Sequence, residues 1–153
     1  MKRKTIGIVA LCAELALLVL NWQTQPFHQL QDRNVVPLAV GIVRSDSKGT
    51  KVVNLKGGQA LQTLQASARH AVPLWVGLTE RAYSLDDGAI YHVTVAGEKN
   101  GQYDELCNVT VDSKGFIHAN SFRYHLIGAS WRDAVEAAFQ MGEALEMVSA
   151  ARG

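Results

Sequence analysis

The chain has 153 residues, enough for one compact domain with a short appendage and too few for two domains. Its 15 basic and 14 acidic side chains leave a formal net charge of +1, and the basic residues gather into no stripe that would neutralise phosphates, which excludes nucleic acid as a partner. The two cysteines, Cys12 and Cys107, fall on opposite sides of the membrane boundary drawn below, so no disulfide framework is expected.

Met1-Lys2-Arg3-Lys4 precedes a stretch from Thr5 to Trp22 that is apolar except for Thr5, Glu14 and Asn21. Ile6, Ile8, Val9, Leu11, Leu15, Leu17, Leu18, Val19 and Leu20 each favour membrane insertion by about 0.3–0.6 kcal/mol, which together outweigh the roughly 2.5–3.5 kcal/mol that Glu14 costs. No small-x-small cleavage pattern follows, and Leu11 stands where a lipoprotein signal has a small residue before its cysteine. The expectation is an uncleaved, single-pass anchor in a cell inner membrane, with the basic start in the cytoplasm and the bulk of the chain periplasmic. A helix or strand buried in a soluble domain is the alternative. Glu14 marks the face of the helix expected to meet a partner helix. The chain then divides into a stub and anchor (1–22), a polar tether (23–34) and an extracytoplasmic α+β domain (35–153).

Val35 to Val43 is β-branched enough for a strand, and Pro37 makes it an edge or irregular one. The cluster Ser45-Asp46-Ser47-Lys48-Gly49 turns the chain into a short return strand, Lys51 to Leu55. After Gly57-Gly58, the apolar residues Ala60, Leu61, Leu64 and Ala68 recur at helical spacing through His70. Four strands follow, Leu74–Leu85, Ala89–Ala96, Glu105–Asp112 and Phe116–Tyr124, separated by Asp86-Asp87-Gly88, Glu98-Lys99-Asn100-Gly101 and Asp112-Ser113-Lys114-Gly115. Turns this regular predict an antiparallel meander of about four strands, covered on one face by helices. Ser130 then N-caps a final helix, whose stripe of Trp131, Val135, Ala138, Phe139, Gly142, Leu145 and Val148 faces the core.

No nucleophile–base pair, carboxylate pair or ligand cluster stands at a diagnostic spacing, so no catalytic residue, metal or cofactor is assigned. His118 and His125 are seven apart and fall on opposite faces of an unbroken strand. His92 reads as a solvated histidine and Cys107 as a small buried hydrophobe. The acidic pairs Asp86-Asp87 and Asp104-Glu105 read as solvated turn charges, and Lys56-Gly57-Gly58 lacks what a phosphate loop requires. Trp75, Tyr91, Phe116 and Trp131 are the aromatics that would line an apolar pocket between sheet and helices.

The run Gly88-Ala89-Ile90-Tyr91-His92-Val93-Thr94-Val95, followed by Asn108-Val109-Thr110-Val111-Asp112-Ser113-Lys114-Gly115-Phe116-Ile117, resembles the PepSY domain. That is a small extracytoplasmic module in which a helix precedes a meander with a Tyr-x-Val-x-Val strand and a Val-Asp-x-x-Gly turn. The resemblance implies protease inhibition or binding of a partner protein, without naming catalytic residues. With Val95-Ala96-Gly97-Glu98-Lys99, the same run is similar to the cytochrome oxidase assembly factor 1 family, which has an N-terminal membrane helix. The functional expectation is a membrane-anchored, non-enzymatic protein-binding module of the inhibitor or immunity type. A structural subunit or assembly factor of an envelope complex, and a small apolar ligand-binding domain, are the alternatives.

Overall fold

The computed structural model describes residues 8, 11–18, 25–79, 83–128 and 130–150, with backbone alone for 145–150. Seven strands form one sheet in the spatial order β2-β1-β4-β5-β6-β7-β3, and every pairing is antiparallel. The strands are β1 (Val35–Asp46), β2 (Gly49–Lys56), β3 (Val72–Leu78), β4 (Ile90–Lys99), β5 (Gln102–Val111), β6 (Ile117–Ala119) and β7 (Phe122–Ile127). Helices accompany them among the described residues: α1, of which 11–18 are described, α2 (His28–Gln31), α3 (Gly58–His70) and α4 (Trp131–Ala150).

Seven strands replace the expected four for local reasons. The β1–β2 hairpin joins the sheet at one end. The expected strand Phe116–Tyr124 is folded in two by a tight turn at Asn120 and Ser121, with φ of 49° and 68°. The expected strand Leu74–Leu85 begins at Val72, stops at Leu78 and does not lie beside β4: α3 carries the chain across the sheet, so β3 pairs with β7 at the far end. Asn100-Gly101, at φ 52° and 78°, closes β4 onto β5 in the left-handed conformations that a two-residue hairpin demands.

β1 is not an edge, since it pairs with both β2 and β4. Pro37 is accommodated by a register shift between Pro37 and Ala39, opposite Gly97. A Cβ on Gly97 would collide with the Val36 carbonyl oxygen and the Leu106 side chain, so glycine is what lets β4 approach the irregular part of β1.

One sheet face carries Val40, Ile42, Val53, Tyr91, Val93, Val95, Cys107, Val109, Val111, Ile117 and Tyr124, all buried. Cross-strand pairs such as Val40↔Val95 and Val95↔Cys107 place them in one layer. α3 and α4 cover this layer over β1 and β2, through Leu61, Leu64, Val135 and Phe139. Gly142 lets α4 close on Val53, whose side chain occupies the space a Cβ would take. Ser130 Oγ accepts the Asp133 N–H at 3.3 Å, the cap expected from the sequence. Within the segment expected to be a tether, Phe27 and Leu30 are fully buried, and Phe27 lies 4.6 Å from the Trp131 ring. Two large apolar side chains set at the start of a helical turn are enough to dock this stretch.

The expected membrane anchor is overturned. Among the described residues no helix is long and apolar enough to cross a membrane. Ile6, Val9, Val19 and Leu20 lie outside the described residues; Ile8, Leu11, Leu15, Leu17 and Leu18 are described and exposed. The single-pass inner-membrane placement and the signal-anchor reading fall with it, and Glu14 stands exposed on α1.

Candidate functional site

The four aromatics singled out as pocket-lining occupy separate surroundings. Tyr91 is fully buried against Phe139, with ring centroids 6.2 Å apart, and the Arg132 guanidinium lies over its ring at 5.9 Å. Trp131 is buried against Phe27 and donates its indole N–H to the Leu64 carbonyl at 3.2 Å. Phe116 is half-buried beneath the Arg123 guanidinium, 5.7 Å from the His125 ring. Trp75 alone stands in the open, on β3.

His118 is buried, although it stands on the sheet face opposite the core layer. Its Nε2 lies 2.9 Å from Asp112 Oδ2, and the Tyr83 ring packs edge-on against it at 4.9 Å. Asp112 Oδ1 accepts the Lys114 and Phe116 N–H groups, and the Asp112 carbonyl accepts from Arg132 at 2.8 Å. The Tyr83 hydroxyl is pushed above its ordinary pKa by burial, and further by the Asp112 carboxylate. The hairpin at 120–121 puts His118 opposite Arg123, so His118 and His125 share a face that an unbroken strand would have denied them. An Asp–His pair is half of a hydrolytic triad. Here the second nitrogen, Nδ1, is buried with no hydrogen-bond partner among the described residues. The pair acts as a strut joining the Asp112 turn to β6 and to the loop that crosses them. Cys107 is buried, and burial together with Glu105 holds its thiol far above the usual range, which makes it unreactive. His92 is exposed, with Nδ1 3.3 Å from Thr110 Oγ1.

Open clefts are found in two places among the described residues. One lies on the outer sheet face, about 440 Å³, over the small residues Ala39, Gly41, Thr94 and Ala96, with Val52 and Lys56 at its rim. The other, about 570 Å³, lies at the start of β3 among Gln25, Gln31, Arg33, Arg69 and residues 71–73.

β3 is the distinctive surface. It is the end strand of the sheet, and among the described residues no strand pairs with its second side. Val72, Leu74, Trp75, Val76 and Leu78 are all exposed, Trp75 at 54% and Leu78 at 66%, and the strand carries no charge. Apolar side chains stand on both its faces: Leu74 pairs with His125 on the outer face, and Trp75 with Tyr124 on the inner. Trp75 is held by its indole N–H, which donates to the Gly77 carbonyl at 2.8 Å, and by a T-shaped contact with Phe122. Proline in a sheet sits where its nitrogen faces the unpaired side, so Pro73 turns its backbone outward and, two residues on, Trp75 does the same. The open side therefore offers the Pro73 carbonyl and the Trp75 N–H and carbonyl to an incoming chain.

Neither this edge nor the arginines beside it was singled out from the sequence. Val72-Pro73-Leu74-Trp75-Val76-Gly77-Leu78 reads as one more strand of a meander, and only the crossover by α3 makes it an edge. The available signal is an uncharged run apolar at both parities. Comparison with family models, curated proteins and solved structures found no match.

Proposed function

We propose that this protein is a non-enzymatic protein-binding module that takes an extended segment of its partner onto the free side of β3 as an eighth strand. The single observation carrying this reading is a charge-free end strand, unpaired on one side among the described residues, with five exposed apolar side chains. Natural sheets blunt such edges with lysines, bulges or covering loops because a bare edge templates pairing with another chain. β3 has one bulge near Val76 and one proline, and otherwise leaves the edge open. Main-chain hydrogen bonds supply affinity in strand addition, and alternate side chains supply specificity. Trp75 is the anchor, being a large, partly fixed aromatic that a partner side chain can cover. The resemblance to PepSY modules, with their inhibitory or partner-binding role, points to the same class.

Amide hydrogen exchange tests it. A bound extended peptide slows exchange at Trp75 while leaving the amides of β2 unchanged, and Trp75→Lys abolishes the protection. Binding that leaves β3 exchange untouched sinks the reading.

A second reading, a small apolar ligand in the outer-face cleft, is favoured by the floor of Ala39, Gly41 and Ala96, which leaves room above the sheet. A thermal upshift with fatty acid or haem, lost in Ala96→Phe, supports it; no shift removes it.

A further inference from the structure

Resting on the strand-addition reading, we propose that the segment added to β3 carries a carboxylate at the end that meets Val72, and that Arg33 and Arg69 receive it. The cleft at the start of β3 includes Val72 and Pro73 in its wall, so a chain paired along the open side of β3 runs directly into it. Neighbouring strands lie about 4.8 Å apart, which keeps the incoming backbone at the cleft's lip.

Among the described residues the charge there is uncompensated. Arg33 and Arg69 are both exposed, no acidic residue lines the cleft, and the ion pairs among the described residues involve neither arginine. Asp32, the acid adjoining Arg33, turns its Oδ1 to the Asn34 N–H at 2.9 Å. The carbonyl end of α3, which would otherwise attract the guanidinium groups, is served by Gln31: its Nε2 donates to the Ala68 and Ala71 carbonyls at 3.0 and 3.1 Å. Two guanidinium forks beside a strand edge fit a carboxylate, which each can hold by paired N–H bonds. The bare edge selects an extended apolar segment and the arginines fix its register. In an antiparallel pairing the acid lies on the C-terminal side of the segment; in a parallel one it lies on the N-terminal side.

The test is fluorescence anisotropy on the full chain with four labelled peptides. These are acetyl-Thr-Val-Tyr-Val-Thr-Val-Glu-amide, acetyl-Glu-Val-Thr-Val-Tyr-Val-Thr-amide, and the counterpart of each with Gln in place of Glu. One Glu peptide is expected to bind roughly ten-fold tighter than its Gln counterpart. Arg33→Gln with Arg69→Gln erases that difference and leaves the Gln peptide's affinity unchanged, while Trp75→Lys abolishes binding of both. Equal binding of Glu and Gln peptides overturns the carboxylate and leaves strand addition standing. No binding by any peptide, or binding indifferent to Trp75→Lys, overturns strand addition and this proposal together. A dimer seen by sedimentation and lost in Trp75→Lys also overturns it, because the edge then belongs to a second copy.

Discussion

β2 and β3 close the two ends of one sheet, and each has a single paired side, yet they are built from opposite materials. β2 shows Lys51, Asn54 and Lys56 to solvent together with one apolar side chain, Val52, ties Lys51 to Glu143 of α4 at 2.6 Å, and has Val53 and Leu55 under the helices. β3 has no charge, and its side chains are exposed on both faces because α3 and α4 lie over the opposite end. Stability therefore resides in the β2-β1-β4-β5 end. An apolar strand left outside that layer contributes little to folding and is free for recognition.

The largest expected effect follows from that division. Tyr91→Ala or Phe139→Ala should each cost about 3–5 kcal/mol in denaturant unfolding, because a fully buried aromatic leaves a cavity. Trp75→Ala, the same kind of truncation at the bare end, should cost about 1 kcal/mol or less, losing mainly the contact with Phe122. Similar costs at both ends would break the comparison. Phe27→Ala belongs with the first group and tests whether residues 25–31 are part of the domain.

Between the two ends stands the Asp112–His118 strut. Asp112→Ala removes the acceptor of two turn N–H groups and the partner of His118 Nε2, and should cost about 2–3 kcal/mol. Asp112→Asn keeps part of the turn bonding and should cost less. If the alanine variant is neutral, the strut does not couple the loop containing Tyr83 to the sheet.

The covered end also makes an alkaline prediction. The folded Cys107 thiol keeps its proton because burial raises its pKa, whereas the unfolded chain ionises near pH 8.5. The stability is fully present below the unfolded pKa and is lost as pH rises beyond it, by up to about 1.4 kcal/mol per pH unit. Chemical denaturation at pH 8 and pH 10 checks this, and Cys107→Val should flatten the loss. Tyr83, raised in the same sense, adds to the decline at still higher pH.

The sequence reading reached what local chemistry decides. The alternation of Tyr91, Val93 and Val95, the turn at Asn100-Gly101, the Ser130 cap and the burial of Cys107 are each written in a few adjacent residues. It missed what depends on distant partners. Pro37 signals an edge until Gly97 opens room for it in an interior strand. Phe27 and Leu30 sit among polar residues, and only Trp131 and α3 make them core. The cleft of Arg33 and Arg69 was beyond reach for the same reason: α3 delivers one arginine to the other across the fold.

The smallest change in stability should come from altering the guarded edge itself. Lys51→Val with Lys56→Val removes one exposed ion pair, worth about 0–1 kcal/mol and screened by salt, and buries nothing new in the monomer. The unfolding midpoint should hardly move. β2 would then share with β3 an uncharged, unpaired side, and a molecule with two such edges has the means to join end to end rather than to stop at one partner. Static light scattering across a concentration series should show growing mass for this variant. Adding Trp75→Lys should cap it at a dimer, since only the altered β2 edges remain to meet. A double variant that stays monomeric at every concentration would mean that something other than the lysines keeps the β2 edge closed, and the contrast between the two ends would then lie in α4 alone.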